Sequence, residues 1–275
     1  MKQYKRALSI AGFDGSGGAG IQADLKTFSA LGCYGMTVLT SLPIQNTTGV
    51  KAIYDLPVKA IVEQFQAIIS DIGADVIKIG MLHKSEIIKA IYDELIKYPD
   101  IPIVTDPVMF AKSGGLLLEK SALDYLKKYI LPISTIITPN LYEAQHLADI
   151  EIKSKDDMIN AVHKIAQYGS KYIVIKGGHL KQEASCWDLL FFRKSEETTW
   201  FESKRVQTKN LHGTGCTFSA AIAANIACKI PIKGAVEKAK EYIFQAILHG
   251  AEYKTGQGAG PAHHFFSSSR DGDRW

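Results

Sequence analysis

The sequence contains few cysteines, and their spacing argues against structural cross-links. Four cysteines occur among 275 residues, and none of them forms a Cys-x-x-Cys pair. Zinc sites and redox-active disulfides usually depend on such pairs, and disulfide frameworks are typical of short secreted chains. We therefore expect four reduced thiols in a cytoplasmic protein, at Cys33, Cys186, Cys216 and Cys228.

Long apolar runs and a strong charge of one sign are also missing. No segment reaches the ~20 consecutive apolar residues that a membrane-spanning helix requires. Residues 1–6 are polar and lack the apolar core of an export signal. The net charge is +4, and basic residues occur only in short runs such as Lys127-Lys128. We therefore expect neither a membrane nor a nucleic-acid partner.

Two nucleotide-binding signatures are absent or incomplete. No Gly-Lys dipeptide occurs, which excludes a Walker A loop. Residues Gly15–Gly20 match G-x-G-x-x-G, but dinucleotide-binding proteins also carry an acidic residue ~20 positions later. The stretch Tyr34–Val50 contains neither Asp nor Glu. A Rossmann-type oxidoreductase is therefore a minor alternative.

Strand-like apolar segments alternate along the chain with segments whose apolar residues recur at helical spacing. This alternation predicts an α/β fold with a mostly parallel central sheet and helices on both faces. An antiparallel hairpin is expected at 186–192 and 199–203. Because no linker-like stretch interrupts residues 1–255, we interpret them as one domain. Residues 256–275 are interpreted as a loosely packed tail whose end is disordered.

Two predicted helices begin with capping signals. Ser85 is expected to cap the helix at 85–97. Ser154, with Asp157 three residues later, predicts a capping box at the start of another helix.

Polar residues gather where predicted parallel strands end. Asp106, Asn140 and Lys176 each follow or finish a strand, and Glu143 lies one helical turn after Asn140. The carboxyl ends of parallel strands meet at one edge of the sheet, where α/β proteins bind their ligands. Turn formation alone does not explain an acid, an amide and a lysine at one edge, so we interpret this edge as a binding site.

The segment His212–Phe218 has two glycines and precedes a helix rich in small residues, 219–224. Glycines allow a tight turn and a close approach to a ligand. The first amides of a helix lack internal partners, and the helix dipole adds positive charge there. The segment therefore predicts an anion site suited to phosphate. The simpler interpretation is a helix start with a glycine turn.

Several motifs together resemble the hydroxymethylpyrimidine/phosphomethylpyrimidine kinases of thiamine biosynthesis, a branch of the ribokinase-like superfamily. The resemblance runs from Leu8 to about Phe265 and rests on Ala11–Lys26, Gln45–Thr47, Lys78–Leu82, Ile137–Ala144, Lys176–His179, His212–Thr217 and Gly260–Phe265. It implies a ribokinase-like fold with a small β-flap and no full lid domain. It also implies ATP and Mg²⁺ as cofactors, a homodimer, and two successive phosphorylations of 4-amino-5-hydroxymethyl-2-methylpyrimidine.

The resemblance suggests roles on the phosphate side of the site. Cys216 occupies the position of the superfamily's general base, and a helix N-terminus would lower its thiol pKa toward neutrality. The amides of Gly213, Thr214, Gly215 and Cys216 would hold the transferring phosphoryl group. Lys176 would contact the phosphates.

Two acids and an amide complete the phosphate side. We expect Asp106 and Glu143 on the magnesium side, directly or through water, since Mg²⁺ needs only one or two carboxylates. Asn140 would orient them or touch phosphate. Either acid could instead cap a helix or pair with Lys176.

The acceptor side is inferred in the same way. The resemblance places Gln45 against the aminopyrimidine, because an amide can both donate and accept. Asp24 would bind the hydroxymethyl side or the ring, with Gly12 and Met81 as apolar walls. Lys238 would flank the adenine. The open alternatives are a pyridoxal kinase and a non-catalytic nucleotide-sensing module.

Overall fold

The computed structural model describes residues 2–109, 117–119, 121–178, 180 and 185–267, and all structural statements refer to these. His179 of the Lys176–His179 motif lies outside them, as do residues 268–275 of the segment 267–275, for which disorder is predicted from the sequence. No helix in these ranges is long and apolar enough to cross a bilayer.

An eight-stranded sheet forms the centre of the fold, as the alternating pattern predicts. The strand order is β10-β9-β8-β7-β6-β5-β1-β2, and all pairings from β8 to β2 are parallel. The predicted hairpin β9–β10 extends the sheet antiparallel at one edge. The strands are β1 (Lys5–Ala11), β2 (Cys33–Leu39), β5 (Val76–Ile79), β6 (Ile103–Thr105), β7 (Ile136–Ile137), β8 (Tyr172–Lys176), β9 (Ser185–Phe192) and β10 (Glu197–Lys204).

Helices cover both faces of this sheet because successive strand residues point to opposite sides. Ala7 and Leu8 of β1, for example, belong to two different buried clusters. One face packs against α1 (Gly20–Ala30), α8 (Thr214–Ala227) and α9 (Ile232–Gly250). The other packs against α2 (Val58–Asp71), α3 (Ser85–Leu95), α4 (Ala122–Tyr125), α5 (Leu131–Ile133), α6 (Leu141–Ala148) and α7 (Lys155–Ala166).

Of the two predicted helix caps, one is confirmed and the other is wrong. The Ser154–Asp157 capping box is present at α7. The prediction for α3 was wrong, because Lys84 occupies the N-cap position and Ser85 is already the first helical residue. Between α4 and α5 the chain forms a π-helical turn, Leu126–Ile130, that periodicity did not reveal.

A small separate sheet, the flap, stands beside the main one. It pairs β3 (Ser41–Asn46) with β4 (Gly49–Asp55) in antiparallel fashion, and its register shifts between Ile44 and Gln45. This is the β-flap that the resemblance implied. The apolar segment Val50–Tyr54 predicts a strand within β4, whereas no strand is predicted over β3, where Pro43 is unusual for a strand.

The C-terminal tail is ordered over 256–264, which corrects the expectation of a loosely packed segment. The amide of Ala259 donates to the Thr47 carbonyl at 3.0 Å, and that of His263 donates to the Ala246 carbonyl at 2.9 Å. His264 is only 4% exposed. The tail is therefore part of the packed domain up to this point.

Candidate active site

A cavity of about 1060 Å³ lies at the carboxyl edge of the parallel strands. This volume suits a small-molecule site, and residues distant in the sequence meet in its wall. Most of the proposed site residues line it: Gly12, Gln45, Met81, Asp106, Asn140, Glu143, Lys176, Gly213, Thr214, Gly215 and Cys216. Asp24 and Lys238 do not.

The turn before α8 depends on glycine at position 213. Gly213 has φ +74°, and a Cβ there would lie 1.7 Å from the Gly18 carbonyl oxygen. The loop before α1 and the loop before α8 are thus packed backbone against backbone. Two loops that are 195 residues apart in sequence form one wall because neither has a side chain at the contact.

The first amides of α8 are open to a ligand. The Thr214 amide makes one long contact, 3.4 Å to the Leu211 carbonyl, and the Thr217 amide donates to Gly213 at 2.9 Å. Among the described residues, no acceptor is bonded to the amide of Gly215 or Cys216. Free amides at the positive end of a 14-residue helix favour an anion at this wall.

Lys176 and Asp106 form an ion pair beside these amides. The Lys176 Nζ donates to Asp106 Oδ1 at 2.6 Å. A Cβ on Gly215 would lie 3.3 Å from Lys176 Nζ and 3.5 Å from Asp106 Oδ2. Burial by itself lowers the pKa of Lys176, but the charges of Asp106 and Glu143 outweigh it and raise that pKa. The lysine therefore stays charged next to the open helix end.

Glu143 and Asn140 form a capping box at α6. The Asn140 Oδ1 accepts from the Glu143 amide at 3.0 Å, and Glu143 Oε2 accepts from the Asn140 amide at 2.8 Å. Burial raises the pKa of Glu143 to about 7 although the charge of Lys176 opposes this shift. The capping role that the sequence left open is thus present, with both side chains at the cavity wall.

These acids meet the modest requirements of magnesium. No cluster of three or more His, Cys, Asp or Glu side chains suited to a metal occurs within the described ranges. Mg²⁺ commonly uses one or two protein carboxylates and completes its shell with water and phosphate. Asp106 and Glu143, both on the cavity wall next to Lys176, provide that number.

The thiol of Cys216 differs from the sequence-based expectation. Burial raises its pKa to about 11, and the charge of Lys78 only partly offsets this, while Asp24 and Asp106 raise it further. The prediction of a near-neutral thiol was wrong for the ligand-free protein. The helix N-terminus was visible in the sequence, but the burial and the two acids depend on tertiary packing.

A buried ion pair beneath the cavity explains the position of Asp24. Asp24 is fully buried, and its Oδ2 accepts from Lys78 Nζ at 2.9 Å and from the Ser9 hydroxyl at 2.5 Å. It does not reach the cavity surface, so the predicted direct contact with a substrate is not supported. Sequence analysis quoted Lys78 within a motif but gave it no role. Burial by itself lowers the pKa of Lys78, but the combined attraction of Asp24, Cys216 and Asp106 raises it overall.

The other corrected residue is Lys238, which is exposed on the surface of α9 and does not line the cavity. Lys240, two positions later, is 8% exposed and does line it. Its Nζ donates to Asp188 Oδ2 at 2.7 Å. A shift of two residues moves a side chain to another face of a helix, and only packing decides which lysine faces inward.

The acceptor side of the cavity combines an amide with apolar walls. Gln45 lies beside the register shift of the flap and lines the cavity, and its Nε2 lies 3.4 Å from the Phe13 carbonyl oxygen. A Cβ on Gly12 would be 3.0 Å from Ser41 Oγ and 3.5 Å from Met81 Sδ. Residue 12 therefore packs closely against Ser41 and Met81, and a larger side chain there would displace them.

Sequence analysis missed the link between the two glycine loops. His212 Nε2 lies 2.8 Å from Asp14 Oδ2, and Asp14 also accepts from the amides of Gly18 and Ala19. Burial by itself raises the pKa of Asp14, but the bonds from His212, Ser16 and Ala19 lower it overall. Both residues belong to motifs that the sequence shows. Their pairing could not be predicted from it, because 198 residues separate them.

The chain is similar in sequence to proteins of known function. The chain is 44% identical over 261 residues to the hydroxymethylpyrimidine/phosphomethylpyrimidine kinase of Rhizobium meliloti, covering 94% of this chain and 96% of that protein. It also matches the thiamine biosynthesis bifunctional protein ThiED of Geobacter sulfurreducens, 41% identical over 267 residues, but spans only 54% of that protein's length.

The chain is also similar to solved structures of related kinases. The phosphomethylpyrimidine kinase of Clostridium difficile is 43% identical with a TM-score of 0.78, covering 88% of this chain and 99% of that one. The pyridoxal kinase of Staphylococcus aureus, in complex with AMP-PCP and pyridoxal, is 34% identical with a TM-score of 0.89, covering 98% and 96%. Both have the ribokinase-like fold.

The family match identifies the reaction class. A profile of the phosphomethylpyrimidine kinases matches residues 14–263, which include both glycine loops and the Lys176–Asp106 pair. The oxidoreductase alternative is therefore wrong, and Gly15–Gly20 instead shapes the loop that packs against Gly213. By this match and by its relatives, the chain belongs to the phosphomethylpyrimidine kinase family of phosphotransferases.

Proposed function

We propose that this protein transfers the γ-phosphoryl group of ATP to 4-amino-5-hydroxymethyl-2-methylpyrimidine and then phosphorylates the monophosphate to the pyrophosphate. One observation carries the proposal: the open amides of α8 and the Lys176–Asp106 pair line the same cavity as Gln45. The proposed phosphate site and the proposed site for a polar ring thus belong to one cavity. Family membership supports the same activity.

In the first step, the acceptor's hydroxyl oxygen forms a bond to the γ-phosphorus as the bond to the β–γ bridging oxygen breaks. The amides of Gly213, Thr214, Gly215 and Cys216 hold the charge that builds on the transferring group. Lys176 balances charge on the phosphates. Phosphoryl transfer has a loose transition state, so positioning and electrostatics provide most of the rate.

The acceptor's proton must leave during this step. The Cys216 thiol lies in the cavity wall and is the proposed base. Its pKa of about 11 means that the thiolate is rare before ligands bind. The step therefore proceeds through the small thiolate fraction, which takes the hydroxyl proton and becomes the thiol as the bond to phosphorus forms.

Asp106 and Glu143 are the proposed magnesium ligands, directly or through water. A bound Mg²⁺ would neutralise charge on the β- and γ-phosphates of ATP. Asn140 holds Glu143 through the capping box and so fixes where its carboxylate lies. Gln45 is proposed to pair with the amino group and ring nitrogen of the pyrimidine.

A pyridoxal kinase is the second candidate. The pyridoxal kinase of Staphylococcus aureus covers more of this chain, with a higher TM-score, than the Clostridium difficile phosphomethylpyrimidine kinase does. Both acceptors are flat heteroaromatic rings with a hydroxymethyl group, so the same apolar walls would fit either. We favour the pyrimidine because the curated relatives carry that name at higher identity.

A product-resolved assay tests the proposal. The protein is incubated with Mg-ATP and each acceptor, and the products are separated by ion exchange. We expect pyrimidine monophosphate first and pyrophosphate later, with a higher kcat/KM for the pyrimidine than for pyridoxal. Lys176→Met serves as a control that should be inactive toward both. Turnover of pyridoxal alone would replace the proposal with the alternative.

Two further expectations concern the whole protein. We propose a homodimer in the cytoplasm, as the family resemblance implies. Light scattering of the purified protein should give twice the chain mass of 30.2 kDa. A mass equal to the chain mass across concentrations would contradict the dimer and leave the proposed reaction unaffected.

A further inference from the structure

The ordered C-terminal segment 256–264, here called the strap, connects three parts of the site. At its start, the Gly258 amide donates to Thr47 Oγ1 at 3.1 Å, and the Ala259 amide donates to the Thr47 carbonyl. Thr47 follows β3, two residues after Gln45. A Cβ on Gly258 would lie 1.9 Å from the Thr47 oxygen, so the strap and the flap touch through their backbones.

The middle of the strap holds the loop before α8. The His212 amide donates to the Gly260 carbonyl at 3.0 Å, and His212 and Pro261 form a parallel bridge. A Cβ on Gly260 would lie 2.3 Å from Asn210 Oδ1. The strap therefore lies directly against the segment that leads into the phosphate-binding turn.

At its end, the strap reaches the first turn of α8 through a buried hydrogen-bond chain. His264 Nε2 lies 2.9 Å from Thr217 Oγ1, and Thr217 Oγ1 donates to the Gly213 carbonyl at 2.9 Å. We assign the single hydroxyl proton to the bond with the carbonyl, and in this arrangement His264 donates from Nε2. The Tyr242 hydroxyl donates to the His264 carbonyl and holds the histidine in place.

This chain fixes a peptide group that borders the phosphate site. The Gly213 carbonyl and the Thr214 amide belong to one planar peptide, so the direction of the carbonyl determines that of the amide. The Thr217 amide donates to the same carbonyl at 2.9 Å, so the hydroxyl adds a second bond to a peptide whose glycine, with φ +74° and no side chain, restricts its rotation little. The Thr214 amide has only its long contact to Leu211 as an alternative.

We propose that His264 is a positioning residue for phosphoryl transfer: it acts through Thr217 to orient the Gly213–Thr214 peptide, and the strap ties this peptide to the flap beside Gln45. The identity of the transferred group rests on the proposed function, whereas the positioning role does not. His264 does not line the cavity, and it reaches the site through Thr217. It determines how well the turn matches a planar, migrating phosphoryl group.

Kinetics of full-length variants test this role. His264→Phe fills the same space without a donor, whereas His264→Gln places an amide N–H near the original Nε2. We expect kcat for the first phosphorylation to fall about 10- to 100-fold in His264→Phe, the scale of misplaced transition-state groups, with both KM values nearly unchanged. His264→Gln should recover most of the rate. The neighbouring His263→Phe, where the ring packs against Tyr253, is the matched control and should keep it.

A second series covers the case in which His264→Phe does not fold. Thr217→Val removes the hydroxyl and should lower kcat, whereas Thr217→Ser keeps the hydroxyl and the rate. In the double variant His264→Phe/Thr217→Val, the loss should not exceed the larger single loss, because both act through one chain. Equal rates in wild type and Thr217→Val, additive losses, or equal losses in His264→Phe and His264→Gln would overturn the proposal.

Binding separates this proposal from the proposed reaction. ADP with aluminium fluoride mimics the transferring phosphoryl group, and its affinity should fall about 10-fold in His264→Phe while that of ADP alone stays the same. If the wild type phosphorylates no pyrimidine but this difference appears, the proposed reaction fails and the positioning role stands. If pyrimidine is phosphorylated but both affinities are unchanged in His264→Phe, the positioning role fails.

Discussion

Gly213 and Gly215 have different roles although one residue separates them. Gly213 is required by the fold, since its φ of +74° and the nearby Gly18 carbonyl exclude a side chain. Gly215 has no positive φ, and a Cβ there would meet only the tips of Lys176 and Asp106. The contacts that an added methyl group would make thus distinguish a glycine that the fold requires from a glycine that leaves space for a ligand.

Gly215→Ala should therefore fold normally and lose activity. Alanine favours a helix over glycine by ~1 kcal/mol, but its methyl group would occupy the space for the phosphoryl group. We expect a melting temperature at or above that of the wild type and kcat/KM lower by about 10²-fold or more, the scale of losing one anion-hole donor. Gly213→Ala is the comparison and should be clearly destabilised. Full activity in folded Gly215→Ala would place the phosphate elsewhere.

Cys216→Ala should affect the two phosphorylations unequally. The first acceptor is an alcohol that must lose its proton, whereas the second is a phosphate oxygen already ionised at neutral pH. We expect the first step to slow by ~10²–10⁴-fold, the range for loss of a general base, and the second step to slow less. Quenched product analysis for each acceptor measures both rates. Equal losses would show that Cys216 positions ligands and is not the base.

Two buried groups should give opposite dependences of stability on pH. The pKa of His264 is lowered to about 4, mainly by burial, so its contribution is present above its unfolded value of ~6.5 and is lost as the pH falls toward 4. The pKa of Glu143 is raised to about 7, so its contribution is complete below ~4.3 and is lost as the pH rises toward 7. Between these limits the two effects offset each other.

The difference between wild type and His264→Gln isolates the histidine. As the pH is lowered from about 6 to 4.5, wild type should lose stability through His264 and the variant should not. The free energy of unfolding of the variant minus that of wild type should therefore rise by ~1.4 kcal/mol per pH unit. Urea denaturation at several pH values measures this difference. A difference that does not change with pH would mean that the histidine titrates normally in the folded protein.

At the scale of elements, two capping boxes provide a natural comparison. Asn140–Glu143 opens α6 at the cavity wall, and Ser154–Asp157 opens α7 on the protein surface. Both satisfy the first amides of a helix by the same local pattern. Only the tertiary position of α6, directly after β7, gives its cap a second role.

Alanine at each cap should separate stability from activity. Ser154→Ala and Asn140→Ala should each cost ~1 kcal/mol of stability, the usual price of a lost N-cap. Ser154→Ala should keep full kinase activity, whereas Asn140→Ala should also lower kcat/KM, because Glu143 loses the partner that holds it. Denaturation curves and initial rates give both quantities. Equal activity in the two variants would remove Asn140 from the site.

At the scale of the whole molecule, the parallel sheet is what assembles the site. Six strands lie parallel, so the loops that follow them end at one edge. The flap, α8 and the strap then enclose that edge. Ligands that bridge these parts should stabilise the fold as a unit, because binding to the native state alone raises the free energy of unfolding.

Nucleotide binding should therefore be visible in thermal unfolding. AMP-PCP with Mg²⁺ at about 100 times its Kd should add ~2.7 kcal/mol of stability and raise the melting temperature by roughly 5–10 °C. NAD at the same concentration should give no shift. Lys176→Met should reduce the shift caused by the nucleotide. A larger shift with NAD than with AMP-PCP would contradict the assignment of the cavity.

The sequence by itself determined what depends on near neighbours. Strand and helix alternation, the capping box at Ser154 and the glycine turn at 213–215 are local patterns of period, capping and backbone freedom. They were sufficient for the fold class and, with the family motifs, for most of the cavity wall.

Only the tertiary structure decided what depends on burial and on distant partners. In the structure, Asp24 is buried as the partner of Lys78 and does not line the cavity. Lys240 lines the cavity, whereas Lys238 does not, and burial raises the pKa of Cys216. The tertiary structure also orders the strap and links His264 to α8. The burial of a group and the charges around it depend on residues that approach it through space. Those residues lie roughly 50 to 200 positions away in the chain, so the local sequence pattern around the group does not reveal them.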